Sequence, residues 1–127
     1  MKNEFCTYEQ SVALKELGFD EPCLANYLDS DPDTLFYNSN KFGKISAPLI
    51  QQAFRFFREN YGFYFTIEEE PGSYLYELTI RNTKDYFVKN RIGCYKTYEE
   101  AEQSCLDKII KLASNGKWIL DITKKTL

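Results

Sequence analysis

Residues 61–95, YGFYFTIEEEPGSYLYELTIRNTKDYFVKNRIGCY, decide how the fold is read. Apolar and polar residues alternate here with the period of two that a half-buried strand needs, not at the three- and four-residue spacing of a helix. Pro71-Gly72 breaks the alternation with the residues of a type II turn, proline at the second position and glycine at the third. With Glu69 facing Tyr74, residues Phe63, Phe65 and Ile67 lie opposite Ile80, Leu78 and Tyr76, and both apolar sets share one face. The second turn follows from what each register would bury. A two-residue loop at Thr83-Lys84 sets Lys89 against Leu78 on the core face, whereas a three-residue loop sets Tyr86 and Val88 against Ile80 and Leu78. The second choice buries no lysine and pairs Glu77 with Lys89, Arg81 with Asp85 and Thr79 with Phe87. Residues 62–95 are therefore predicted to form a three-stranded antiparallel meander.

On both sides of the meander the period returns to that of a helix. In SAPLIQQAFRFFREN, Ser46 is the expected cap of a helix over 47–60, Pro48 fits its first turn, and Ile50, Ala53, Phe54, Phe57 and Tyr61 make one apolar stripe. After the meander, Thr97 and Glu100 form a capping-box pattern that opens a helix over 98–114, with Tyr98, Ala101, Cys105, Ile109 and Leu112 at helical spacing and Asn115-Gly116 closing it. Thr7 and Gln10 repeat the device at the start of a helix over about 7–17. The phrase TYE, used twice, is thus read as a helix start. Gly18, Phe19 and Pro22 end that first helix. Glu102 falls among the apolar positions of the last helix and is expected to reach water at the core edge.

Residues 22–38 read as a hairpin around Asp29-Ser30-Asp31-Pro32-Asp33, an Asp/Pro turn that lacks the ligand spacing of a calcium loop. Residues 117–123 read as a terminal strand containing Trp118. The expected class is α+β: an antiparallel sheet, made of the three-stranded meander plus the N-terminal hairpin, with helices packed on one face.

The 127 residues fit a single domain, 1–127, with 43% hydrophobic residues and ten each of Tyr and Phe as core material. No apolar run approaches the ~20 residues of a membrane span, and the start MKNEFCTYEQ lacks a signal peptide's apolar stretch. A cytoplasmic location is expected. The chain has no histidine, which removes the commonest general base and the Ser-His and Cys-His pairs. The cysteines at 6, 23, 94 and 105 show no paired zinc spacing and read as reduced thiols. No catalytic residue, metal or cofactor is expected, and the chain is read as not an enzyme.

Charge is uneven. Residues 1–40 hold eight acids against Lys2 and Lys15, while 81–98 hold Arg81, Lys84, Lys89, Arg91 and Lys96 against Asp85. The candidate binding residues are Arg55 and Arg58, one helical turn apart and able to hold an anion, with Arg81, Lys89, Arg91 and the lone Trp118. The phrases CTYEQSVALKELGFDEP, ISAPLIQQAFRFFREN and YKTYEEAEQSCLDKII, in that order, resemble a family of small proteins of unknown function encoded by phages and mobile elements of gut anaerobes. That resemblance implies a host-cell cytoplasmic setting and supplies no reaction, cofactor or site residue. The function expected is a soluble protein-interaction or regulatory module. The alternative is a nucleic-acid-binding domain, because helix-strand-strand-strand-helix over 47–114 is the element order of a double-stranded RNA-binding domain. Glu99, Glu100 and Glu102 at the start of the last helix would repel phosphates, so a protein partner is preferred. A monomer is expected, with a homodimer through the C-terminal strand as the alternative, and no membrane partner.

Overall fold

The fold comes from a computed structural model that describes residues 4–37, 44–83 and 87–114, with the side chains of 87–92 outside that description. The described chain is α+β, with three helices and two three-stranded antiparallel sheets. It divides into two compact units, Met1–Phe56 and Phe57–Leu127.

The first unit opens with α1 (Tyr8–Glu16). Its capping box forms as predicted: Gln10 N donates to Thr7 Oγ1 at 3.1 Å and Thr7 N donates to Gln10 Oε1 at 2.9 Å. The helix stops at Gly18, whose φ of +99° suits a residue without Cβ. Gly18 N donates to Lys15 O and Phe19 N to Leu14 O, the paired bonds of a Schellman stop. This turns Phe19 inward, where its ring meets Phe56 edge-on at 5.3 Å. The predicted hairpin is present as β1 (Ala25–Leu28) and β2 (Asp31–Tyr37), but it does not stand alone. A third strand, β3 (Lys44–Ala47), pairs with β1 and gives the order β2-β1-β3. β1, flanked on both sides, is buried at all four residues. Phe5, Ala25, Tyr27 and Ala47 form the core cluster of this unit, and Tyr27 OH donates to Cys6 O at 2.8 Å.

Ser46 is therefore not a helix cap. It lies in β3 opposite Asn26, and α2 (Ile50–Tyr61) begins four residues later than that cap. Tertiary pairing overrides the local signal: Ile45 and Ala47 alternate into the core, and the N-terminal segment bonds to the following residues through Cys6 N to Pro48 O. The expected α2 stripe is otherwise observed, with Ile50, Ala53, Phe54 and Phe57 buried and Tyr61 half-buried.

The second unit holds the end of α2, the meander β4 (Phe63–Glu70), β5 (Leu75–Asn82) and β6 (Phe87–Tyr95), and α3 (Tyr98–Ser114), with sheet order β4-β5-β6. Gly62, at φ +75°, ends α2, and Asn82 Nδ2 donates to the Tyr61 carbonyl at 2.8 Å. α3 packs on all three strands, burying Ala101, Cys105, Leu106, Ile109 and Ala113 against a face that includes Leu78 and Ile80. Its buried stripe is rotated from the expected one, since Tyr98 is exposed and Leu112 half-buried.

Both strand registers differ from the predicted ones. The type II turn at Pro71-Gly72 is formed, with Ser73 N bonded to Glu70 O and Gly72 at φ +85°. Tyr74 then adopts φ +59°, so Leu75 rather than Ser73 faces Glu70 and each pair moves by two residues. An even shift keeps every side chain on its expected face. The β5–β6 register is corrected more deeply. Residues 83–86 separate Asn82 from its partner Phe87, and an irregularity between Leu78 and Ile80 brings Gly93 opposite Leu78. The expected pairs Glu77–Lys89, Arg81–Asp85 and Thr79–Phe87 are not formed; Glu77 faces Cys94 and Arg81 faces Val88. The far end of β6 decides this register. Tyr95 OH hydrogen-bonds Ser104 Oγ on α3, and the Tyr95 ring folds over Gly93, where a Cβ would come within 2.7 Å of its hydroxyl.

Candidate functional site

The six candidate residues do not converge as one described cluster. Arg55 lies on α2 in the first unit, where its guanidinium meets Glu21 at 2.9 Å with side chains 51% and 28% exposed. Such a surface pair is worth under about 1 kcal/mol, but it gives Arg55 an intramolecular partner. Arg58 is exposed in the last turn of α2. Arg81 is exposed on β5, its Cζ 5.0 Å from the centre of the Tyr64 ring on β4. Backbone register sets Lys89 opposite Ile80 and places Arg91 in the irregular stretch before Gly93. Trp118, the Asn115-Gly116 stop and the predicted strand over 117–123 lie outside the described residues.

The sheet of the second unit supplies a candidate surface. Strand alternation puts Tyr64, Thr66, Glu68, Glu77, Thr79 and Arg81 on the face opposite α3. Thr66, Glu68 and Arg81 are exposed, and Tyr64, Glu77 and Thr79 are half-buried. Charge divides along this face: Arg81 stacks on Tyr64 at one end, and Glu68 stands directly across from Glu77 at the other. Sequence reading identified Arg81 and missed Tyr64, because their pairing depends on the two-residue register shift that Tyr74 introduces.

A pocket of about 230 Å³ in the first unit is lined by Ser11, Lys15, Phe19, Asp20, Lys44 and Ser46. Nothing in the periodicity signals it, since its walls join the end of α1 to a strand that was not predicted. The Ser11 hydroxyl is committed to Thr7 O at 2.7 Å, and ammonium and carboxylate groups share the rim, so the pocket has no single charge preference. Beside Ser46 on the sheet, Asn26 is buried, and its Nδ2 has no hydrogen-bond partner among the described residues.

Two of the thiols, Cys23 and Cys105, are poorly disposed to nucleophilic chemistry. Burial, with Glu21 nearby, pushes the Cys23 thiol up to about 11. Burial pushes the Cys105 thiol up further, aided by Glu102 and opposed by Lys108. Both stay protonated near neutral pH, and the thiolate is the reactive form. The Tyr8 hydroxyl is raised chiefly by its hydrogen bond to Asp29, which holds that turn carboxylate at 3.0 Å. Burial raises Tyr27 and Tyr98 in the same direction. Among the described residues, no three Cys, Asp or Glu side chains gather as metal ligands, and no helix is long and apolar enough to cross a membrane.

No protein-family model, curated protein or solved structure matches the chain.

Proposed function

We propose that the chain is a non-catalytic protein-interaction module of the host-cell cytoplasm, docking a partner on the open face of the second sheet. The observation that carries this reading is made of the described residues: α3 buries one face of that sheet, while Tyr64, Thr66, Glu68, Thr79 and Arg81 remain at least partly accessible on the other. A partner fitted to this face presents a cation to Glu68 and a carboxylate to Arg81, with an apolar group against Tyr64, which is the mixed character of a transient protein interface. The histidine-free composition and the raised pKa values of the Cys23 and Cys105 thiols support binding over catalysis.

A second reading, nucleic-acid binding, is favoured by the order α2-β4-β5-β6-α3. Charge opposes it. Glu99 and Glu100 are exposed in the first turn of α3, and Glu68 stands against Glu77 on the open face, so a phosphate backbone would meet carboxylates at both places. Fluorescence titration with short duplex RNA separates the readings. At about 0.15 M salt, binding no tighter than the micromolar non-specific range is expected. Nanomolar affinity with a steep salt dependence would replace the protein-binding reading with the nucleic-acid one.

A further inference from the structure

The pocket of the first unit divides its chemistry between two walls. Ser11, Phe19 and Asp20 come from α1 and the turn that ends it, while Lys44 and Ser46 come from β3. Ser11 is 1% exposed and Phe19 6%, so a hydroxyl and a ring form the floor, whereas Lys15, Asp20, Lys44 and Ser46 are exposed at the rim. The α1 wall accepts. The Ser11 proton is already given to Thr7 O, which leaves the Oγ lone pairs for a donor in the pocket. The Asp20 carboxylate has no ion pair among the described residues, and the negative end of the α1 dipole favours a cation beside it. The β3 wall donates. The Ser46 hydroxyl has no hydrogen-bond partner among the described residues. Directly across from it stands Asn26, 6% exposed, whose buried Nδ2 lacks an acceptor there. Buried donors are rarely left unmet. Side chains of such a pair start from Cβ atoms about 5 Å apart on one face of the sheet, so Ser46 Oγ can accept from Nδ2 once its own proton is fixed by a group in the pocket.

We propose that this pocket binds a free α-amino acid with a compact apolar side chain. The ligand ammonium bonds Ser11 Oγ and the Asp20 carboxylate. The ligand carboxylate takes the Ser46 proton, with Lys15 and Lys44 adding positive charge at the rim, and the turned Ser46 oxygen gives Asn26 Nδ2 its acceptor. The side chain of the ligand covers the Phe19 ring. A simple anion would leave Asp20 facing it, and a simple cation would meet two lysines, whereas a zwitterion complements both walls. Size agrees, since about 230 Å³ is the space of about eight waters at ~30 Å³ each, comparable with the non-hydrogen atoms of valine, leucine or methionine. None of these pocket residues belongs to the open face of the second sheet.

Titration of the isotope-labelled full chain with L-valine, L-leucine and L-methionine in turn, followed by nuclear magnetic resonance, tests this. At least one should bind with a Kd no weaker than about 1 mM, the upper end of ordinary small-substrate constants. It should shift the amides of Ser11, Phe19 and Ser46 and move the Asn26 side-chain N–H downfield. Asp20→Asn should weaken binding about tenfold, the scale of one lost bond to a charged group, and should leave the weak binding of the N-acetyl form, which has no ammonium, unchanged. Ser46→Ala should weaken binding about tenfold as well and abolish the Asn26 shift. Both positions are exposed, so each variant should keep its melting curve. Should either fail to fold, the N-acetyl and carboxamide forms decide on the wild-type chain, each binding about tenfold more weakly than the parent amino acid. Absence of saturable binding by all three amino acids overturns the proposal. So do shifts centred outside the pocket, a carboxamide that binds as tightly as its parent, or a folded variant of either kind that binds as the wild type does.

Discussion

Thr97 occupies the position where its hydroxyl accepts the Glu100 N–H at 3.1 Å, meeting one of the unpaired donors at the start of α3. Thr97→Ala is expected to lower stability by about 1 kcal/mol, read as a drop in denaturation midpoint with no change in slope. Unchanged stability together with lost binding would make the residue part of an interface instead. The thiols yield a second prediction. Cys23 and Cys105 have folded pKa values raised above the ordinary 9.0, so folding favours their protonated forms. Their contribution is fully present below pH 9.0 and is lost as pH rises, for Cys23 up to about 11. The tyrosines raised from 10.0 add to the same alkaline decline. Thermal melts from pH 8 to pH 11 should therefore fall more gently in Cys105→Ala than in the wild type, after correction for the lost side chain. Under native conditions iodoacetamide should label exposed Cys94 first and the fully buried Cys6 and Cys105 last. Early labelling of Cys105 would contradict its placement on the buried face of α3.

Local signals at the elements were legible where the chain itself supplies the bonds. Thr7 with Gln10, Gly18 with Phe19, and Pro71-Gly72 each complete their hydrogen bonds within a few residues, and all three appear where the sequence put them. Ser46 and the meander registers were not legible, because distant contacts settle them. Ser46 has the chemistry of a cap, yet the unpredicted pairing of Lys44–Ala47 with β1 takes it into a strand. The β5–β6 register was argued from keeping Lys89 off the core face, whereas the structure sets it from the other end, through Tyr95 reaching Ser104 across Gly93. This account is testable by a double-mutant cycle. Gly93→Ala displaces the Tyr95 hydroxyl, and Ser104→Ala removes its partner, so each should cost about 1 kcal/mol and the two together little more than one alone. Fully additive losses would mean that Tyr95 does not pin the strand.

For the molecule as a whole, composition was the better guide to what the protein does not resemble chemically, and geometry the better guide to where it could bind. Arg55 and Arg58 looked like an anion clamp on a helical wheel, but Glu21, thirty-four residues from Arg55 in sequence, already occupies Arg55. Arg81 gained significance only with Tyr64 beside it, a cross-strand relation that no sequence period reports. The central claim is that the open face of the second sheet docks a protein. Its most direct measurement is capture from nuclease-treated lysate of the source cell by immobilised wild-type chain and by Thr79→Arg, a change at the centre of that face. The wild type should retain a defined protein at constant stoichiometry, and Thr79→Arg, with an unchanged melting curve, should lose it at least tenfold. Equal capture by both chains, or retention of nothing beyond a blank support, would contradict the account.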